Sequence, residues 1–150
     1  MKVLFVCTAN TCRSPMAEEI FNKLNTDSSF RAKSAGITIV PGSFVTENSV
    51  ELLKKELNID VKYKEAIQLN ESLLDRADVV LTMTDFGKEF IRDNYPKYKG
   101  KVFSLCEYAG VKGEVTDPYG STISVYNNIY KELEGIVALL LAKLKKDGSV

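Results

Sequence analysis

The stretch Lys2 to Cys7 is a compact apolar run of Val, Leu and Phe, suited to a strand buried on both faces. A turn-like segment, Thr8 to Arg13, follows it. Ser14-Pro15 then reads as a helix start, with a hydroxyl at the N-cap and proline at the first helical position. Met16, Ala17, Ile20, Phe21 and Leu24 recur behind it at helical spacing. The alternation continues with a short strand over 31–35 closed by Gly36, a helix over 46–57, and a short helix over 72–77. A buried strand over 78–83, a helix over 85–94 stopping before Pro96, and a strand over 101–105 come next. From Ser121 onward, Val125, Ile129, Leu133, Ile136, Leu140 and Leu144 mark one face of a long helix, ended by Lys143, Lys145, Lys146 and Gly148. Strands alternating with helices predict an α/β fold: a mainly parallel central sheet with helices on both faces, three layers in all. In such sheets ligands bind beyond the carboxyl ends of the strands, where the first loop lies.

Composition narrows this picture. The chain has 150 residues, 45% of them apolar, and its 20 basic residues balance its 20 acidic ones. That length and balance predict one folded domain over residues 1–150, and argue against a general nucleic-acid binder. No apolar run approaches a membrane span, and the start lacks a signal peptide's layout; no membrane role and a cytoplasmic location are expected. Three cysteines, an odd number, point the same way, to a reducing compartment. The absence of histidine removes His-based zinc sites, Ser-His-Asp triads and Cys-His dyads. A cysteine nucleophile here needs another activator.

Residues 7–14, Cys-Thr-Ala-Asn-Thr-Cys-Arg-Ser, supply one. A cysteine at a strand tip is followed by five loop residues and an arginine at a helix N-terminus. Successive N–H groups in such a loop form an anion cradle to which the helix dipole adds positive charge. The Arg13 guanidinium is a planar fork matched to two phosphate oxygens. The same surroundings favour a thiolate at Cys7. The plainer alternative makes Cys7 a small buried strand-end residue and Arg13 a solvated one. Cys106, after Leu105 in an apolar strand, reads as inert core. Phe44, Tyr63, Phe86, Tyr95 and Tyr98 read as packing, although the loops after the second and fourth strands flank the pocket.

The segment VCTANTCRSPMAE resembles the phosphate-binding loop of the low-molecular-weight protein-tyrosine phosphatases, and Asp117-Pro118-Tyr119 resembles their late acid loop. The likeness extends over the whole chain. It implies a flavodoxin-like sheet and a protein phosphatase working through a phosphocysteine intermediate, with no metal or other cofactor. The implied partners are phosphorylated proteins, with inorganic phosphate or similar oxyanions in the loop. Cys7 is then the nucleophile, Arg13 binds the equatorial oxygens, and Asp117 is acid and then base. Thr8, Ala9, Asn10, Thr11, Cys12 and Ser14 complete the loop. Ser34 braces Asn10, which suits a left-handed conformation, and Tyr119 forms an aromatic wall. Cys12 is implied as a redox partner of Cys7. Asp117 by itself is equally compatible with ordinary Asp-Pro turn chemistry. Two departures stand out. Ala9 occupies a place where many members have glycine, and the family's frequent loop-bracing histidine is missing, with Lys64 nearest its place.

Thr11 bears on the substrate. Tyrosine-specific members usually have a bulky aliphatic residue here, and threonine resembles the bacterial protein-arginine phosphatase branch. Thr11 leaves room for a planar phosphoguanidinium and offers its N–H groups an oxygen, whereas isoleucine would leave them unpaired at about 1–3 kcal/mol each. Phosphoarginine is therefore expected, with phosphotyrosine as the alternative. Thiol-linked arsenate reduction is disfavoured because no further cysteine pair lies near residue 80. A non-catalytic phosphate-binding module would need Cys7 to be merely structural.

Overall fold

A computed structural model describes residues 1–148; residues 149 and 150 of the predicted domain lie outside the described residues. Four strands, β1 (Lys2–Cys7), β2 (Arg31–Gly36), β3 (Val79–Thr82) and β4 (Val102–Ser104), form one sheet in the order β2-β1-β3-β4. Every pairing is parallel, with Cys7 opposite Gly36 and Val6 opposite Thr82. This is the expected doubly wound α/β architecture, in which β1 lies inside the sheet and its end opens where the strand order reverses.

The pleat of β1 sends Val3, Phe5 and Cys7 to one face and Leu4 and Val6 to the other, and each face has its own core. On the first lie α1 (Arg13–Leu24), α2 (Glu47–Leu57), α5 (Leu105–Ala109) and α6 (Ile123–Gly148). Met16, Ile20, Phe21, Leu53, Leu133 and Leu140 are fully buried there. On the second lie α3 (Glu71–Arg76) and α4 (Asp85–Asn94), packed through Leu74 and Ile91. Asn70 and Thr84 cap these two helices, accepting from the Leu73 and Gly87 N–H groups.

Three sequence expectations need correction. Helix α1 starts at Arg13 with Cys12 as its N-cap, so Ser14 lies inside the first turn and its hydroxyl is free to serve the loop. Helix α5 replaces the end of the fourth predicted strand and takes Cys106 with it. Its capping box, Ser104 with Glu107, and the left-handed Gly110 behind it were readable signals. At the start of α6, Tyr126 is buried and Val125 is exposed, because the buried stripe begins one residue later. Cys106 itself remains in the core, where burial first, then the Glu132, Asp85 and Glu114 carboxylates, push its thiol up.

Candidate active site

The loop between β1 and α1 turns sharply because Asn10 adopts a left-handed conformation, φ 57°. Ala9 is outside that region, so its methyl group costs the backbone nothing. Gly36 makes the close approach possible on the other side. A Cβ there would sit 2.9 Å from both the Ala9 carbonyl carbon and the Thr8 oxygen. The gap is closed by N–H donors from Ile37 to the Cys7 oxygen (3.0 Å) and from Thr38 to the Thr8 oxygen (2.9 Å).

None of the N–H groups of residues 8–12 donates a hydrogen bond among the described residues. No acidic side chain occupies the first turn of α1. Five amides and a helix N-terminus are thus left to an anion. Thr8, Ala9, Thr11 and Cys12 line a cavity of about 380 Å³ together with Cys7, Arg13, Asp117 and Tyr119. The Arg13 guanidinium is buried; one Nη donates to the Val115 oxygen at 3.2 Å, the other lies 3.6 Å from an Asp117 oxygen, and Nε is buried without a partner. A buried unpaired guanidinium N–H is costly unless a ligand takes it. Asp117 is half exposed at the cavity mouth, and its other oxygen accepts the Tyr119 N–H at 3.0 Å.

Behind the loop runs a continuous relay. The Ser14 hydroxyl lies 2.8 Å from Cys7 Sγ. Asn10 Nδ2 donates to the Ser14 oxygen at 2.8 Å and to the Ser34 oxygen at 3.0 Å, while Asn10 Oδ1 accepts the Ile67 N–H at 2.9 Å. With its oxygen accepting from Asn10, Ser14 has its one proton to give either to the sulfur at 2.8 Å or to the Ala35 oxygen at 3.5 Å, and the sulfur is much the nearer acceptor. Ser34 donates to Glu18 at 2.6 Å, and Glu18 is ion-paired with Lys64, which also reaches Glu19 at 3.3 Å. Cys12, held beneath the loop, contacts the hydroxyls of Thr11 (3.8 Å), Thr46 (3.5 Å) and Tyr126 (3.4 Å). Burial first, then the contact with Cys12, pushes Tyr126 up to about 12, so it stays a neutral phenol.

A model of the low molecular weight phosphotyrosine protein phosphatases matches residues 2–150. The chain belongs to this family. It is 39% identical over 150 residues to a protein-arginine-phosphatase of Bacillus subtilis (strain 168), covering 98% of this chain and 99% of the relative. It is 40% identical over 140 residues to the low molecular weight protein-tyrosine-phosphatase PtpB of Staphylococcus aureus, covering 93% of this chain and 96% of that one. Among solved structures, a mutant of the YwlE arginine phosphatase with a phosphorylated active-site serine superimposes with a TM-score of 0.91 at 39% identity. That match covers 98% of this chain and 97% of the other.

Within this phosphatase, the residues singled out from the sequence converge: Cys7, Thr8, Ala9, Thr11, Cys12, Arg13, Asp117 and Tyr119 line one cavity, and Asn10, Ser14 and Ser34 stand behind it. The loop after β2 flanks the pocket as expected, through Val40, Ser43, Phe44 and Thr46, none of which the sequence assigned to the site. Phe44, expected to be packing, is 44% exposed at that wall and is held edge-on by Tyr63 at 6.1 Å. Glu18 was also missed, since on α1 it looks like any solvated helix residue. Lys64 takes up the bracing position in this chain by holding Glu18. Replacing Lys64 by methionine is expected to lower kcat/KM about 3–10-fold by loosening Asn10, while arginine restores it. Steady-state kinetics on the two variants check this.

Proposed function

We propose that the chain is a cysteine-dependent protein phosphatase whose preferred substrate is protein phosphoarginine. The supporting observation is that Cys7, Arg13, Asp117 and four loop residues with unpaired amides, Thr8, Ala9, Thr11 and Cys12, line one cavity. Phosphate or a similar oxyanion sits in the loop with its equatorial oxygens on the amides and Arg13, which hold their charge through transfer. The Cys7 thiolate attacks phosphorus in line, and the bond to the leaving nitrogen or oxygen breaks as Asp117 gives that atom its proton. The Asp117 carboxylate then takes a proton from water, which attacks the phosphocysteine, releasing inorganic phosphate and regenerating the thiolate. Ser14 steadies the sulfur in both halves. Tyr119 and Phe44 flank the substrate side chain, and Cys12 is the thiol that closes on Cys7 when an oxidant removes two electrons from the pair.

The preference for phosphoarginine rests on Thr11. It lines the cavity, and its hydroxyl has only a loose contact with Cys12, so it is available to a guanidinium N–H. Asp117 adds a carboxyl oxygen at the mouth that can accept from the guanidinium N–H groups. The two named relatives are about equally similar and act on different residues by their names, so overall identity leaves the choice to the pocket. Phosphotyrosine is the second reading, favoured by the exposed rings of Phe44 and Tyr119 at the rim. Turnover of phosphoarginine and phosphotyrosine peptides by wild type and Thr11→Ile tests this. The variant should lose about 10–100-fold on phosphoarginine and hold or gain on phosphotyrosine. An unchanged preference means that Thr11 is not the selector.

A further inference from the structure

At the opposite end of the sheet, a slot of about 160 Å³ opens between the β1–β2 edge and α3. Its position follows from register. Lys2 pairs with Arg31 and Leu4 with Lys33, so all four lie on the sheet face that α3 and α4 cover. Helix α3 is only six residues long and leaves this corner open. Leu4, Leu73 and Ala77 give the slot apolar walls, and Lys2, Arg31, Lys33 and Arg76 stand around it.

Four cations gather here in a chain whose charges balance overall. None of the four forms an ion pair within 4 Å among the described residues. The adjacent Asp78 carboxylate accepts the Lys2 N–H at 2.6 Å and forms an ion pair with none of the four side chains. Like charges held without ion pairs around an apolar wall focus a positive potential into it. An apolar cavity of about 150 Å³ accepts a single benzene-sized body. The slot is therefore matched to a ring or short chain carrying one anionic group.

We propose that this slot is a second binding site, for a compact organic anion with an apolar body and a phosphate, phosphonate or carboxylate head. The apolar part lies against Leu4, Leu73 and Ala77, and the head is held by Lys33 and Arg76 with Arg31 and Lys2. The site lies one strand length from Cys7, roughly 17 Å at ~3.3 Å per residue, and is independent of the reaction there.

The test uses the full chain, isotope-labelled, with vanadate saturating the Cys7 loop and phenylphosphonate as probe. Saturable amide shifts at Leu4, Lys33, Leu73 and Ala77 are expected. Methylphosphonate, which lacks the ring, and benzyl alcohol, which lacks the charge, should each bind at least about tenfold more weakly. The double variant Lys33→Gln with Arg76→Gln should cost about tenfold in phenylphosphonate affinity while aryl phosphate turnover stays at the wild-type level, which shows that the fold and the reaction at Cys7 are intact. The proposal is overturned if the shifts do not saturate or scatter over other surface lysines. It is equally overturned if methylphosphonate binds as tightly as phenylphosphonate, or if the double variant binds like wild type.

Discussion

Replacing Cys7 by serine is expected to abolish turnover, by on the order of 10,000-fold or more, while inorganic phosphate still binds within a few-fold of wild type. The reason lies in what the site lacks and what it keeps. A serine hydroxyl must lose its proton to attack phosphorus, the chain has no histidine to take it, and any phosphoserine that forms keeps its phosphoryl group because an alkoxide leaves far less readily than a thiolate. The loop amides and Arg13 are untouched, so the oxyanion cradle survives. The two halves of the measurement separate the alternatives. Residual activity near wild type would move the nucleophile elsewhere, and loss of phosphate affinity together with turnover would point to a collapsed loop. A binding module with a structural Cys7 would show neither loss. Phosphate release from an aryl phosphate and calorimetric titration with phosphate supply the two numbers.

The second large effect is expected at Asp117. Asp117→Asn keeps the shape of the side chain and its acceptor for the Tyr119 N–H, but it can neither give nor take a proton. General acid–base catalysis is worth about 100–10,000-fold, and a drop of that size is expected for a leaving group of high pKa. An aryl phosphate with a strongly acidic phenol needs little help in leaving and should lose much less in the first step. With that substrate the second step suffers instead, so phosphocysteine should accumulate and be visible by intact-mass spectrometry after an acid quench. Removing the carboxylate 3.6 Å from Arg13 also frees the guanidinium, and phosphate should bind somewhat more tightly. Equal losses with good and poor leaving groups, without a trapped intermediate, would rule out proton transfer by Asp117.

These expectations rest on features that differ in how far they could be read along the chain. The β1–loop–α1 unit was legible because everything in it is local: an apolar run, a turn-forming asparagine, and helical periodicity after residue 13. The Ser14 error is informative for the same reason. Ser-Pro is a cap signal when only neighbours are weighed, yet here Asn10, held by Ser34 and Ile67, recruits the hydroxyl to Cys7 and the helix starts two residues earlier, at Arg13. Phe44 shows the opposite limit. Nothing in its neighbourhood distinguishes a pocket wall from a packed ring until the loop over residues 40–46 is laid beside the phosphate loop by the bond from the Thr46 N–H to the Thr11 oxygen.

What the sequence determined by itself was the alternation that makes a parallel α/β sheet, and the Cys-x5-Arg loop at the end of its first strand, because periodicity and short spacing are encoded by adjacent residues. What the tertiary structure decided was which distant groups meet there. Asp117 comes to Arg13 across more than a hundred residues, Lys64 and Glu18 brace Asn10 through Ser34, and Tyr126 and Thr46 enclose Cys12. It also decided that four cations from β1, β2 and α3 crowd one apolar corner. Such meetings depend on strand order and register, which arise only when the whole core is buried at once, so no local pattern announces them.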